Sequence, residues 1–227
     1  VPSGFAGEVR ERTDTIWRAI HAHPFVRGIG DGTLSPDRFR FYLEQDYVYL
    51  IDFSRVIALA AAKAETVAEM RQFSSLLDVT LSREMELHRR TCASFGVDAA
   101  KLERTEPGLV TAAYTSALLR ACYEGRLSDI VAVLLPCAAG YVEIASRLRE
   151  GGLPSPAHYR EWIETYSGPE MSALAEWLTR RMDTKAAESA PADRHRWQAL
   201  YRTSARLELS FFDMSWERSP WPACVPT

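Results

Sequence analysis

Apolar residues recur at intervals of three and four along almost the whole chain, and the strict alternation that marks a half-buried strand is nearly absent. That periodicity restricts the chain to an all-α fold, because a helical stripe of apolar residues must be covered by other helices. A first helix is predicted from about Phe5 to about His23, with Ile16 and Ile20 on one face, stopping before Pro24. The glycine-rich run Arg27-Gly28-Ile29-Gly30-Asp31-Gly32-Thr33 is expected to be a loop. Ser35 before Pro36 is a helix start, opening a long apolar segment to about Ala64. Further helices are expected over Val67–Phe95, about Val110–Tyr123, and from Ser128-Asp129 to Glu150, closed by Gly151-Gly152. Three more follow at about Pro156–Tyr166, Glu170–Lys185 and Arg194–Trp216, with Lys185–Asp193 as a surface loop.

No internal repeat and no break in composition divides these helices, so residues 1–218 are expected to form one helical domain. Residues 219–227 form a tail whose prolines cannot continue a helix. The 227 residues suffice for a substantial core without disulfide or metal staples. A formal charge of −3, from 27 basic and 30 acidic residues that intermingle, leaves no electrostatic footprint for nucleic acid. A small molecule or another copy of the chain is the expected partner. Cysteines at 92, 122, 137 and 224 include no C-x-x-C spacing, which argues against a metal knuckle, a redox pair or a secreted disulfide framework. The first residues show no basic segment followed by an apolar one, and Ile57–Ala64 and Ile130–Ile144 are too short or too interrupted to span a bilayer. The expected location is the cytoplasm.

Three runs carry candidate chemistry. In Leu134-Leu135-Pro136-Cys137-Ala138-Ala139-Gly140-Tyr141, a proline interrupts a helix at a cost of about 3 kcal/mol, a defect that often borders a cavity. Cys137 follows it directly and Tyr141 lies one turn later on the same face. Taken alone, packing of a small buried cysteine is the stronger reading. In Gln45-Asp46-Tyr47-Val48-Tyr49-Leu50-Ile51-Asp52-Phe53, Asp46, Tyr49 and Phe53 share a helix face. A buried aspartate there either pairs with a neighbouring tyrosine or arginine or accepts hydrogen bonds from a ligand amine or amidine. Glu208, in Leu207-Glu208-Leu209-Ser210-Phe211-Phe212, is either a solvated glutamate or a buried one whose raised pKa suits general acid–base work. Its neighbours do not decide between the two. Tyr47, Tyr49, Tyr114, Tyr141 and Tyr166 fall on candidate inner faces, where tyrosines pack as core residues or stack on a flat heteroaromatic ring.

These runs, in this order, resemble the TenA/thiaminase II family. The similarity extends through Phe41–Leu50, Glu84-Met85-Glu86-Leu87-His88, Thr111-Ala112-Ala113-Tyr114, Leu134–Ile144, Tyr159–Tyr166 and Glu208–Met214, and so covers nearly the whole chain. The resemblance implies a haem-oxygenase-like helical bundle, a homotetramer, and hydrolysis of aminopyrimidines to 4-amino-5-hydroxymethyl-2-methylpyrimidine in thiamine salvage, with thiamine as a further substrate of some members. It implies Cys137 as the nucleophile, Glu208 as the acid/base, Asp46 as the carboxylate that holds the ring's amino group, and Tyr49, Tyr114, Tyr141 and Tyr166 as pocket residues. No cofactor and no metal are implied. Where members commonly carry tryptophan two residues after the cysteine, this chain has Ala139, followed by Gly140, which predicts a roomier pocket or a roomier second shell around it. A tryptophan is also common where Phe212 stands.

Two other readings stay in view. A di-iron oxygenase can share this kind of bundle, but it calls for Glu-x-x-His spacing, and here Glu84 and His88 are four apart while His21, His23, His158 and His195 are scattered. A helical binding protein without catalysis would reduce the cysteine and carboxylates to core residues.

Overall fold

The computed structural model describes residues 4–219 and 221. Among these residues there are twelve α-helices and no strand. In chain order they are α1 (Phe5–Arg12), α2 (Asp14–Ala22), α3 (Pro24–Asp31), α4 (Pro36–Ala62), α5 (Val67–Val79), α6 (Met85–Ser94), α7 (Ala99–Leu102), α8 (Leu109–Glu124), α9 (Leu127–Glu150), α10 (Ala157–Tyr166), α11 (Pro169–Ala187) and α12 (Pro191–Glu217). A five-residue π-helical turn, Thr80–Glu84, joins α5 to α6.

The bundle is built around α9. Its residues from Ile130 to Pro136 are all buried, which requires neighbours on every side, and α8, α10, α11 and α12 supply them. This helix is long and apolar enough to cross a membrane, but 72% of its most apolar stretch is buried inside the bundle, so its hydrophobicity is that of a central core helix. Asp129, at the third position of α9, accepts from the Arg126 N–H at 2.6 Å, so the helix begins one residue before the predicted Ser128. α4 and α12, each 27 residues long, run about 40 Å along the bundle and pack against each other as well as against α8.

Several predicted boundaries change. The glycine-rich Arg27–Thr33 run is largely helical: Pro24 sits in the first turn of α3, the His23 ring accepts from the Phe25 N–H, and Gly32 ends the helix at φ +77°. The first predicted helix is broken at Thr13, whose hydroxyl bonds back to the carbonyls of Val9 and Arg10. The expected Lys185–Asp193 loop contracts to Glu188–Ala190, because α11 continues to Ala187 and Pro191 starts α12. The single helix expected over Val67–Phe95 is interrupted by the π turn. Most of the tail, including Cys224, lies outside the described residues.

Candidate active site

Residues from seven helices and the π turn line one pocket inside the bundle. Asp46, Tyr49 and Phe53 line it from α4, on the shared face their spacing predicts, and Tyr114 enters from α8. Cys137 and Tyr141 come from α9 just beyond Pro136, Tyr166 from the end of α10, and Glu208 from α12. All seven site residues expected from the sequence therefore meet in one place. Tyr47 does not join them: it turns outward to Glu103 and Arg89.

Aromatic rings form most of the wall. Tyr49 lies 5.0 Å from Tyr114 and stacks at 5.6 Å on Phe53, while Tyr141 lies 5.0 Å from Tyr166. The Tyr49 hydroxyl is buried without a well-formed hydrogen bond among the described residues, and the Cys137 sulfur stands beside it, ready to accept from it once ionised. Cys137 has protein packed all around it, yet keeps accessible surface because that surface faces the cavity.

Three carboxylates surround this apolar space. Burial is the main influence on Glu208 and pushes its carboxyl up to about 8; Asp46 adds repulsion, while Tyr114, 2.6 Å away, pulls in the opposite direction. Burial likewise raises the Cys137 thiol well above its usual value, the charge of Glu208 adds to this, and Tyr49 favours the thiolate. Asp46 is 5% exposed, and its Oδ2 lies 2.7 Å from His88 Nε2. Its partner is thus a histidine, not the tyrosine or arginine considered from sequence. Burial disfavours the charged His88 ring, but the bond to Asp46 and the charges of Asp46 and Glu84 outweigh it, and the net shift is upward.

Glu84, on the pocket wall, and His88, behind Asp46, are the residues that the sequence reading did not place in the site. The π turn brings Glu84 in. Met85 donates its N–H to the Thr80 carbonyl, five residues back, so side chains five apart stack, and Val79 and Glu84 reach the same cavity wall. In an α-helix those two positions would point well apart. Tyr166 donates to Glu84 at 2.9 Å, and burial raises the Glu84 carboxyl, with His88 partly offsetting it. The available signal was the Glu84/His88 spacing, four apart on one helix face. In the structure both ring nitrogens of His88 are engaged, Nε2 with Asp46 and Nδ1 with the Glu84 carbonyl at 2.8 Å. Among the described residues, no three His, Cys, Asp or Glu side chains converge as a metal-binding set.

A model of the TENA/THI-4/PQQC family matches residues 10–218. The chain belongs to this family. It is 39% identical over 220 residues to the aminopyrimidine aminohydrolase of Halalkalibacterium halodurans, which spans 96% of this chain and 97% of that protein. A crystal structure described as a TenA family transcription regulator from Silicibacter sp. superposes with a TM-score of 0.87 at 34% identity, covering 95% of this chain and 98% of its own. A Shewanella denitrificans domain with a heme oxygenase-like fold superposes at 0.73 over 93% of this chain and 92% of that one. At 15% identity that likeness speaks to the fold alone, and the fold is the haem-oxygenase-like bundle expected from sequence.

Within the TENA/THI-4/PQQC family frame, the unusual small residues lie outside the cavity wall. Ala139 lines a shallow surface depression between α9 and α11. Gly140 accommodates Trp17, since a Cβ at that position would lie 2.1 Å from the indole Cη2. Phe212 is fully buried in a cluster with Phe25, Tyr42 and Tyr141 and does not line the cavity. These departures lie behind the pocket wall, where they bear on helix packing.

Proposed function

We propose that this protein hydrolyses 4-amino-2-methylpyrimidines carrying a leaving group on a 5-methylene carbon, with Cys137 as nucleophile and 4-amino-5-hydroxymethyl-2-methylpyrimidine as product. The observation that carries this reading is the convergence of Cys137, Glu208 and Asp46 on one aromatic-walled cavity. The name of the Halalkalibacterium halodurans relative supports it.

The chemistry follows from the ring. A neutral aminopyrimidine releases a substituent from its methylene carbon slowly. As the Cys137 sulfur adds to the adjacent ring carbon, a proton passes from Glu208 to the ring nitrogen and the thiol's proton passes to the Glu208 carboxylate so formed, which breaks the aromaticity that holds the substituent in place. Glu208, held as an acid near neutral pH, suits the role of proton donor. The amino group's electrons then expel the leaving group, and positive charge develops on the amino-bearing edge of the ring. Asp46, anchored by His88, is the carboxylate for that edge. Water adds to the exocyclic methylene, and loss of the cysteine sulfur restores the ring. Tyr49, Tyr114, Tyr141 and Tyr166 stack on the flat substrate, and the Tyr49 hydroxyl hydrogen-bonds its periphery.

The same proposal takes residues 1–218 as one catalytic domain of a cytoplasmic homotetramer. Val67, Met70 and Leu81, exposed along α5 and the π turn, are consistent with an oligomer contact there. The test is a turnover assay of 4-amino-5-aminomethyl-2-methylpyrimidine and of thiamine, with wild type and Cys137→Ser side by side. Release of the hydroxymethylpyrimidine by wild type from neither compound would sink the reading, and the ratio of the two rates identifies the preferred leaving group.

A further inference from the structure

Ser204 lies one turn before Glu208 on α12, on the same face. It does not line the cavity, and it is 2% exposed. Its hydroxyl lies 2.8 Å from the Val133 carbonyl, one turn before Cys137 on α9. Tyr114 Oη, reaching over from α8, lies 2.9 Å from Ser204 Oγ and 2.6 Å from Glu208 Oε1. Four oxygens thus stand in a row with three contacts between them.

Each contact requires one proton, and counting protons orients the row. A carbonyl only accepts, so Ser204 donates to Val133 and its one proton is committed there. Tyr114 must then donate to Ser204, which commits the phenol proton. With the Tyr114 proton on Ser204, the contact between Tyr114 and Glu208 is made only if Glu208 donates, whereas a Tyr114 that donates to Glu208 leaves its contact with Ser204 without a proton. With Glu208 protonated, three protons serve three contacts. With Glu208 ionised, Tyr114 turns its proton to the carboxylate and two protons remain for three contacts, so one buried contact between oxygen lone pairs is left unbridged.

We propose that Ser204 is a positioning residue that holds Glu208 as a neutral carboxylic acid in the resting protein, through a relay running from Glu208 to Tyr114 to Ser204 to the Val133 carbonyl. The relay rests on the reading of Glu208 as the proton donor only for its catalytic purpose, not for its existence. The other groups facing Glu208 act in the same sense or not at all. Asp46 from α4 repels the ionised form. Tyr49 from α4 and Cys137 and Tyr141 from α9 are held in their uncharged forms by burial. Glu84, on the opposite wall, bonds to Tyr166. Charged groups of the elements packed on the rest of α12 are turned elsewhere: Glu8 of α1 to Arg194, Asp129 of α9 to Arg196, and His23, between α2 and α3, to Asp213.

The test is a pH titration of the carboxylic-acid carbonyl stretch by infrared difference spectroscopy on wild type, Glu208→Gln, Ser204→Ala and Ser204→Thr, without substrate. The Glu208→Gln subtraction separates Glu208 from Glu84. Wild type is expected to show the protonated Glu208 band at neutral pH. Ser204→Ala frees the Tyr114 proton for the carboxylate, so its midpoint is expected to fall by about one pH unit. Ser204→Thr, which keeps the hydroxyl, is expected to titrate like wild type. An ionised Glu208 in wild type at neutral pH, an unchanged midpoint in Ser204→Ala, or equal shifts in the Ala and Thr variants would overturn the relay. Because no substrate is involved, a protein that titrates as expected but releases no pyrimidine would refute the proposed hydrolysis and leave the relay standing.

Discussion

His88 Nε2 lies 2.7 Å from Asp46 Oδ2, inside a pair that is almost wholly shielded from solvent. The opposite ring nitrogen faces the Glu84 backbone carbonyl at 2.8 Å, and a carbonyl only accepts, so that nitrogen carries its proton. The ring is thereby locked in orientation, and it locks the carboxylate in turn. Replacing His88 by alanine leaves Asp46 without its partner in a low-dielectric wall. The expected result is a loss of stability of about 3 kcal/mol in urea denaturation and a rise in KM larger than the fall in kcat. His88→Gln, which can still donate to Asp46, is expected to recover part of both.

For Cys137→Ser, pyrimidine release is expected to fall by at least about 10⁴-fold with the helical circular-dichroism spectrum unchanged, because the hydroxyl is a far poorer nucleophile than the sulfur. Cys92 and Cys122 serve as controls. Both are fully buried and neither lines the pocket, so neither can meet a substrate there. Serine at either position is expected to retain turnover while costing about 1–3 kcal/mol of stability for the buried hydroxyl. A turnover loss in either control equal to that of Cys137→Ser would contradict the assignment.

The raised carboxyl of Glu208 makes a signed prediction about pH. A group whose folded pKa lies above its unfolded value binds its proton more tightly in the folded state. Its stabilising effect is complete below the ordinary value of 4.5 and is lost as pH rises through about 8. Across that window Glu208 accounts for a decline of up to about 5 kcal/mol in the stability of wild type, and Glu208→Gln removes that part of the slope. Denaturant titrations at a series of pH values measure it directly. Proton donation by Glu208 weakens over the upper end of the same range, so kcat/KM is expected to fall as pH passes about 8.

Gly140 and Trp17 give a test of packing that is independent of chemistry. A Cβ at position 140 would overlap the indole, which is 1% exposed and has little space to retreat. Gly140→Ala is therefore expected to lower stability by about 1–3 kcal/mol, seen as a drop in Tm, with Trp17 fluorescence altered.

The helical content and the direction of the principal helices could be read from residue spacing, because a 3.6-residue period places i, i+3 and i+4 on one face whatever the fold around them. Asp46 with Tyr49 and Phe53, and Cys137 with Tyr141, illustrate this: each set does line one wall. Starts marked by proline were also clear at Pro36. At Arg27–Thr33 the glycines misled, since the His23 cap and Pro24 organise a short helix that accommodates them.

What the sequence by itself determined was the set of helices and which chemically active side chains share a face. Tertiary structure decided which of those faces meet and what each polar group finds there. The Glu208 carboxyl is raised because α4, α8 and α9 close over it, and its partner Tyr114 is 94 residues away; Asp46 is anchored because His88, 42 residues away, is swung inward below the π turn. Local periodicity has no access to either event. Burial and hydrogen-bond pairing are properties of neighbours brought together by folding, and these set the proton affinities on which the chemistry of the site depends.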